Sequence, residues 1–277
     1  MEMVHAGNRK KIVVHGLLII GSIIMIMPFL WMVSTSLKSF AESMQVPPTI
    51  FPKELKFENY LEVFEKINFA QYYMNTIIIT VARTAFQLIL CSLAAYAFAR
   101  LRFPGKNLIF IAILSVLMVP SQVVMIPSFV IMRELGWIDT FYAIIVPGIF
   151  SAFGTFLLRQ FFMAIPKELD EAAKIDGCSF FGIYWRIIMP LSKPALVSLA
   201  IFTILAAWND FLWPLIATNS DEMRVLSIGI ATFQGQYATE YPLLMAGALM
   251  STAPMIIIFL FLQKYFIEGI ALSGVKG

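Results

Sequence analysis

The densest chemistry in the chain is Ile165-Pro166-Lys167-Glu168-Leu169-Asp170-Glu171-Ala172-Ala173-Lys174-Ile175-Asp176-Gly177, set between two long oily segments. Where only 13% of all residues are charged, such a run marks a surface that meets something other than lipid. Pro166 suits a first helical turn, where its missing N–H costs nothing, and Gly177 suits the left-handed residue that ends a helix. A short helix is therefore predicted between them. Glu168, Asp170 and Glu171 near its N-terminus and Lys174 near its C-terminus follow the order the helix macrodipole favours. Leu169, Ala172 and Ala173 fall at i, i+3, i+4 and make a narrow apolar face. Beyond the turn at Gly177, Ser179 is a candidate N-cap, and Phe180, Ile183, Tyr184, Ile187 and Ile188 form one stripe of a second helix before Pro190 and Pro194. By pattern alone this helix-turn-helix reads equally as an amphipathic connector on a membrane surface and as a docking elbow for another protein.

Polar groups inside the oily segments are the other candidates. Arg83 lies about two turns into one of them, where insertion scales put a central Arg at roughly 2.5 to 3.5 kcal/mol, so it requires a partner or a wet space. It serves either a structural pairing or a solute contact. Trp208-Asn209-Asp210-Phe211-Leu212-Trp213 closes another oily segment. Its tryptophans read as interfacial anchors and Asp210 as a water-boundary residue; alternatively, aromatic faces interleaved with Asn209 and Asp210 suit the apolar faces and hydroxyls of a sugar.

Familiar catalytic patterns are missing. A phosphate-binding GxxxxGK[ST] loop would need Gly where Arg100 precedes Gly105-Lys106, so ATP hydrolysis by this chain is not expected. HExxH and GxSxG are absent too. Cys91 lies in an apolar segment and Cys178 in the polar connector, at different depths, so both read as packing residues rather than a disulfide. With two Cys and two His, His5 and His15, a conventional zinc or haem site is not expected.

The elements that must position these groups follow from composition. Sixty per cent apolar residues and a mean hydropathy of +0.82 identify an all-α, polytopic membrane protein. No polar stretch is long enough for a core of its own, so residues 1–277 are expected to be one membrane domain. A net charge of +3 without a basic stripe excludes a nucleic-acid surface. The apolar run from Ile12 to Val33 exceeds the roughly 7 to 15 residues of a signal core and lacks a small-x-small exit, so it is predicted to be a retained span. Further spans are predicted over Met74–Phe98, Leu108–Met132, Tyr142–Phe162, Ala195–Ala217 and Leu243–Phe266, each near the roughly 20 residues a bilayer requires. Pro120, Pro127, Pro147-Gly148 and Pro254 interrupt them, as membrane helices allow where neighbours re-satisfy the backbone.

Six spans put both termini on one side. Arg9, Lys10, Lys11, Arg100, Arg102, Lys106, Arg159, Lys167, Lys174, Arg186, Lys193, Lys264 and Lys276 share that side, which the positive-inside rule makes cytoplasmic. Lys38, Lys53, Lys56, Lys66, Arg133 and Arg224 fall outside, most of them in the long loop at 35–71. The acidic connector, within residues 163–194, is then cytoplasmic, and 35–71 and 218–242 are external loops.

The order Glu171-Ala172-Ala173, three residues, Gly177, nine residues, Ile187, one residue, Met189-Pro190 resembles the EAA loop of the membrane subunits of binding-protein-dependent ABC importers. The family has Leu where Met189 stands, a volume-conserving change. Pro28-Phe29-Leu30-Trp31 through Ser36-Leu37-Lys38, Ala95-Tyr96-Ala97-Phe98-Ala99-Arg100, the paired prolines of the third span, Trp208 through Leu215, Gln263-Lys264-Tyr265-Phe266 and Val275-Lys276-Gly277 look like the MalG-type permeases of the carbohydrate-uptake branch. The resemblance implies a type I importer permease fold in a bacterial or archaeal cell membrane. It implies a homologous MalF-like permease partner, two cytoplasmic ATPase subunits that bind the ATP and Mg, and an extracytoplasmic solute-binding protein. This chain itself would carry no cofactor. ATPase docking would fall on Glu168, Glu171, Ala172, Ala173, Asp176 and Gly177, and the translocation path on Arg83, Asn209 and Asp210. The implied substrate is a sugar or oligosaccharide, with glycerol 3-phosphate or another polar solute as the alternative. A polytopic membrane enzyme or a sensory scaffold is the reading from a different class.

Overall fold

A computed structural model describes the backbone over residues 2–235 and 238–274, with side chains at 11, 13–235 and 238–263. The side chains of Arg9, Lys10, His5 and Lys264, and all of Val275-Lys276-Gly277, lie outside the described residues. Helices in chain order are α1 (Glu2–Ser36), α2 (Phe40–Ser43), α3 (Glu58–Lys66), α4 (Phe69–Arg100), α5 (Lys106–Ser115), α6 (Ser121–Glu134), α7 (Phe141–Ile145), α8 (Ala152–Ala164), α9 (Glu168–Ile175), α10 (Phe180–Ile183), α11 (Met189–Leu191), α12 (Lys193–Trp208), α13 (Leu212–Ala217), α14 (Leu226–Ala231) and α15 (Tyr241–Gly274). Among the described residues the only β pairing is an isolated antiparallel bridge between Gln234 and Thr239.

Four helical stretches are long and apolar enough to cross a membrane: Val13–Ser36, Phe69–Arg100, Phe141–Ala164 and Tyr241–Gln263. Two bent pairs, Lys106–Met118 with Ser121–Glu134 at 102° and Phe180–Leu191 with Lys193–Trp208 at 78°, raise the number to six if each is one span. The expected straight helix over Leu108–Met132 is therefore broken. Pro120 disfavours helical backbone at the residue before it, and Val119 is extended (φ −89°, ψ 120°). The expected helix over Ala195–Ala217 stops at Trp208 instead. Asn209 caps it by donating its side-chain amide to the Leu205 carbonyl at 2.8 Å, and the chain restarts as α13 only after Phe211.

Two compact units divide the chain, Met1–Asn68 with Ile230–Ala253, and Phe69–Gly229 with Pro254–Gly277. In the first, residues 37–57 fold on their own polar groups. The Asn59 amide donates to the Ser36 and Lys38 carbonyls at 2.8 and 2.9 Å, and the buried Glu42 carboxylate accepts from Thr49 Oγ1 and the Lys53 N–H at 3.1 and 3.0 Å. Lys38, itself buried, lies 4.6 Å from the Trp31 ring centre and donates to the Thr49 carbonyl. An 18-residue apolar window of α1 has 0% of its residues buried.

In the second unit α4 is the post against which α8 and α12 pack. Cys91 and Ala95 of α4, Leu158 and Phe162 of α8, and Leu199 of α12 are all at most 1% exposed. Their cluster continues without a gap through Ala173 of α9 and Ile183, Tyr184 and Ile188 beyond it. The polar connector is therefore rooted in the same core as the apolar helices. Truncating such a residue leaves a cavity; Phe162→Ala is in the class that loses about 3 to 5 kcal/mol.

Candidate functional site

The elbow forms much as its residues dictate. α9 runs over Glu168–Ile175, with Lys167 at the N-cap and Pro166 just outside rather than in the first turn. Acidic side chains occupy its first turn and Lys174 its last. It ends in a Schellman closure: the Cys178 N–H donates to the Ala173 carbonyl at 2.9 Å and the Gly177 N–H to the Lys174 carbonyl at 3.0 Å. Gly177 is left-handed, with φ +80°. Ser179 then caps α10, accepting from the Gly182 N–H at 3.2 Å. The predicted single helix beyond it is interrupted by a π-helical turn, Tyr184–Ile188, and Tyr184 and Ile188 both face inward.

Glu168, Glu171, Ala172, Asp176 and Gly177 are exposed, with Leu169 and Ile175 beside them at 40% and 87%. Ala173 instead turns inward at 6%, together with Asp170 at 7%. Asp170 is the residue the sequence reading passed over. It faces Arg100 at the end of α4, with a carboxylate oxygen 3.4 Å from Nε, and the two side chains are 11% and 3% exposed. Arg100 also donates through Nη2 to the Ile165 carbonyl at 2.7 Å. Two more ties join α4 to the elbow: the Tyr96 hydroxyl donates to the Phe180 carbonyl at 2.9 Å, and the Ser92 and Tyr184 hydroxyls pair at 2.8 Å. A basic residue at the end of an apolar span and an acid off the exposed face were the only sequence signals for this pair.

Arg83, Asn209 and Asp210 all line one cavity of about 570 Å³. Arg83 Nη1 donates to Asp210 Oδ2 at 2.8 Å, with side-chain exposures of 16% and 22%. Gly148 makes room for this guanidinium, since a Cβ there would stand 2.1 Å from Arg83 Nε. The Gly148 carbonyl accepts from the Gln87 amide at 2.7 Å, whose own oxygen accepts from Thr203 Oγ1 at 2.9 Å. Behind Asp210, its backbone carbonyl accepts the Ser227 hydroxyl at 2.7 Å. Ser121, Gln122, Ser128, Phe211 and Trp213 complete the polar and aromatic lining. Trp213 is pinned by its indole N–H, which donates to the Ala143 carbonyl at 2.9 Å. The break after Trp208 thus divides the aromatic hexapeptide. Asn209 to Trp213 line this cavity, whereas Trp208 stacks edge-on against Tyr73, ring centres 5.6 Å apart, in a separate apolar cavity of about 500 Å³. Among the described residues no group of three or more His, Cys, Asp or Glu could hold a metal, and Cys91 and Cys178 are unpaired.

The family model for the binding-protein-dependent transport system inner membrane component matches residues 87–271, which includes Arg100, the elbow and the Asn209–Trp213 segment. The chain belongs to that family. It is 36% identical over 257 residues to the arabinooligosaccharides transport system permease protein AraQ of Halalkalibacterium halodurans, covering 92% of each chain. It is 36% identical over 279 residues to the trehalose/maltose transport system permease protein MalG of Thermococcus litoralis, covering 97% of this chain and 99% of that one. In structure it is similar to a chain of a bacterial ABC transporter involved in the import of the acidic polysaccharide alginate, at a TM-score of 0.83 and 27% identity over 94% of this chain and 98% of that one. As a permease of this family, the protein is a multi-pass membrane transporter subunit, not an enzyme, with the ABC importer permease fold.

Proposed function

We propose that this permease is one half of the translocation pathway of an ATP-driven importer for a sugar or oligosaccharide in a bacterial or archaeal cell membrane. It acts as a single membrane domain beside a homologous permease, with both termini and the elbow in the cytoplasm. The loops at 35–71 and 218–242 face the solute-binding protein. ATP and Mg are held by two separate ATPase subunits, one of which grips α9 and its C-cap by their exposed face of Glu168, Glu171, Ala172 and Asp176. The unburied sides of α1 remain for lipid and the second permease.

The observation that carries this reading is that one unbroken helix bears both sites. α4 places Arg83 on the cavity and Arg100, seventeen residues or about 26 Å further along, on the elbow. A push on α9 therefore reaches the cavity through a rigid element as well as through the segments that directly follow and precede the elbow. Reversing a two-state equilibrium from 1:99 to 99:1 takes about 5.5 kcal/mol of differential binding, so a loosely seated α9 would dissipate the stroke. The test is uptake of labelled arabino-, malto- and galacto-oligosaccharides, with glycerol 3-phosphate in the same panel, by proteoliposomes holding the whole importer. Sugar uptake that requires both ATP and the binding protein supports the reading. Uptake of glycerol 3-phosphate alone, or of no solute, overturns it.

A further inference from the structure

We propose that the Arg83–Asp210 pair sets the charge selectivity of the cavity: paired, it makes the site one for uncharged sugar units, and Asp210 is the residue that denies the Arg83 cation to carboxylated or phosphorylated solutes. This rests on reading the cavity as part of the path, and the experiment separates the two claims. The lining residues include one cation and one anion, Arg83 and Asp210, and they neutralise each other at 2.8 Å. The other polar groups, Ser121, Gln122, Ser128 and Asn209, are neutral donors and acceptors suited to hydroxyls.

The cation is turned toward Asp210, to which its Nη1 donates at 2.8 Å. Its guanidinium lies where Gly148 would carry a Cβ, and the Gly148 backbone is itself fixed by Gln87. Asp210 is held from behind through its backbone by Ser227. An entering carboxylate would meet the Asp210 charge wherever it met the Arg83 charge, so attraction and repulsion nearly cancel while the cost of stripping its water remains. A neutral hydroxyl bears a much smaller cost, which the neutral donors and acceptors of the lining can offset.

The test places a cysteine at Ser128 on the cavity wall in a Cys178→Ser chain, in membrane vesicles holding the whole importer, with Ser121→Cys as the second position. Rates of modification by the anionic sulfonatoethyl and a neutral hydroxyethyl methanethiosulfonate are compared. Asp210→Asn should raise the anionic-to-neutral ratio roughly tenfold by leaving one uncompensated positive charge. Arg83→Gln should lower it, and the double variant Arg83→Gln/Asp210→Asn should return it to the unsubstituted value. That cycle reads charge alone and does not depend on transport. An unchanged ratio in Asp210→Asn, or a preference for the anionic reagent in the unsubstituted pair, overturns the proposal. Separately, bulky modification at Ser128 should block sugar uptake. Continued uptake with the expected charge cycle would reject the path and leave the charge assignment standing.

Discussion

Removing Asp170 should unseat the elbow while leaving the membrane helices in place. Arg100 is 3% exposed, and among the described residues Asp170, 11% exposed, is its one carboxylate partner. Deleting one member of a buried pair typically costs about 3 to 5 kcal/mol because the remaining charge is left without compensation. The lower end applies here. The contact is a single approach at 3.4 Å, and Arg100 keeps its bond to the Ile165 carbonyl. About 3 kcal/mol corresponds to a rise of roughly 150-fold in the opening equilibrium of α9. Hydrogen exchange on the assembled importer in nanodiscs reads this directly. In Asp170→Ala the α9 amides should exchange about 100-fold faster than in the unsubstituted chain, with α4 amides near Ile79 unchanged, and uptake should fall with them. Arg100→Met/Asp170→Leu, which removes both charges and keeps apolar volume, should recover most of the protection. Unchanged exchange in Asp170→Ala, or a double variant as loose as the single one, would refute the reasoning.

Three further substitutions follow from the same geometry. Gly177→Asp should insert normally yet uncouple ATP hydrolysis from uptake. No atom lies within 4 Å of a Cβ there, so the loss comes from left-handed strain of about 1 to 2 kcal/mol and from the altered face; Gly177→Asn, better tolerated in that conformation, should retain more uptake in the same assay. Gly148→Ala should push Arg83 off Asp210 and destabilise the fold by about 1 to 3 kcal/mol, measured as a lowered unfolding midpoint that Arg83→Met partly restores. Burial alone would push the Asp139 carboxyl up, but the N–H groups of Ser220 and Asn219, at 3.0 and 2.8 Å, outweigh it and hold the group below its usual 3.8. Its folded value being the lower one, the stabilisation is full above the unfolded value and is lost as pH falls through the folded value. Protection of the Asn219 and Ser220 amides should therefore persist to about pH 4 and collapse below it, whereas Asp139→Asn should be weakly protected throughout; a pH-independent difference would contradict this.

Local chemistry made the elbow legible. The acidic first turn, the left-handed Gly177 and the Ser179 cap are each decided within a few residues, so their types announce them. Pro120 was readable as a breaker, but the 102° bend depends on what surrounds the break and was not. The stop at Asn209 was missed because an apolar run on either side outweighs one capping amide in any hydropathy window. Arg83 plainly required a partner. That the partner is Asp210, 127 residues away, and that Arg100 meets Asp170 are tertiary facts, since no local pattern says which charge pairs with which. The outward face of α9 was only partly readable, since helical spacing groups Ala172 with Ala173 but only the core decides that Ala173 turns inward.

The most direct test of the account is cross-linking at Ala172, which is exposed on α9. In a Cys178→Ser chain within intact cells, Ala172→Cys should resist membrane-impermeant reagents added outside and, after permeabilisation, cross-link to an ATPase subunit with a yield that changes when ATP is bound. Labelling from outside, or no ATPase adduct in an importer that transports, would contradict it.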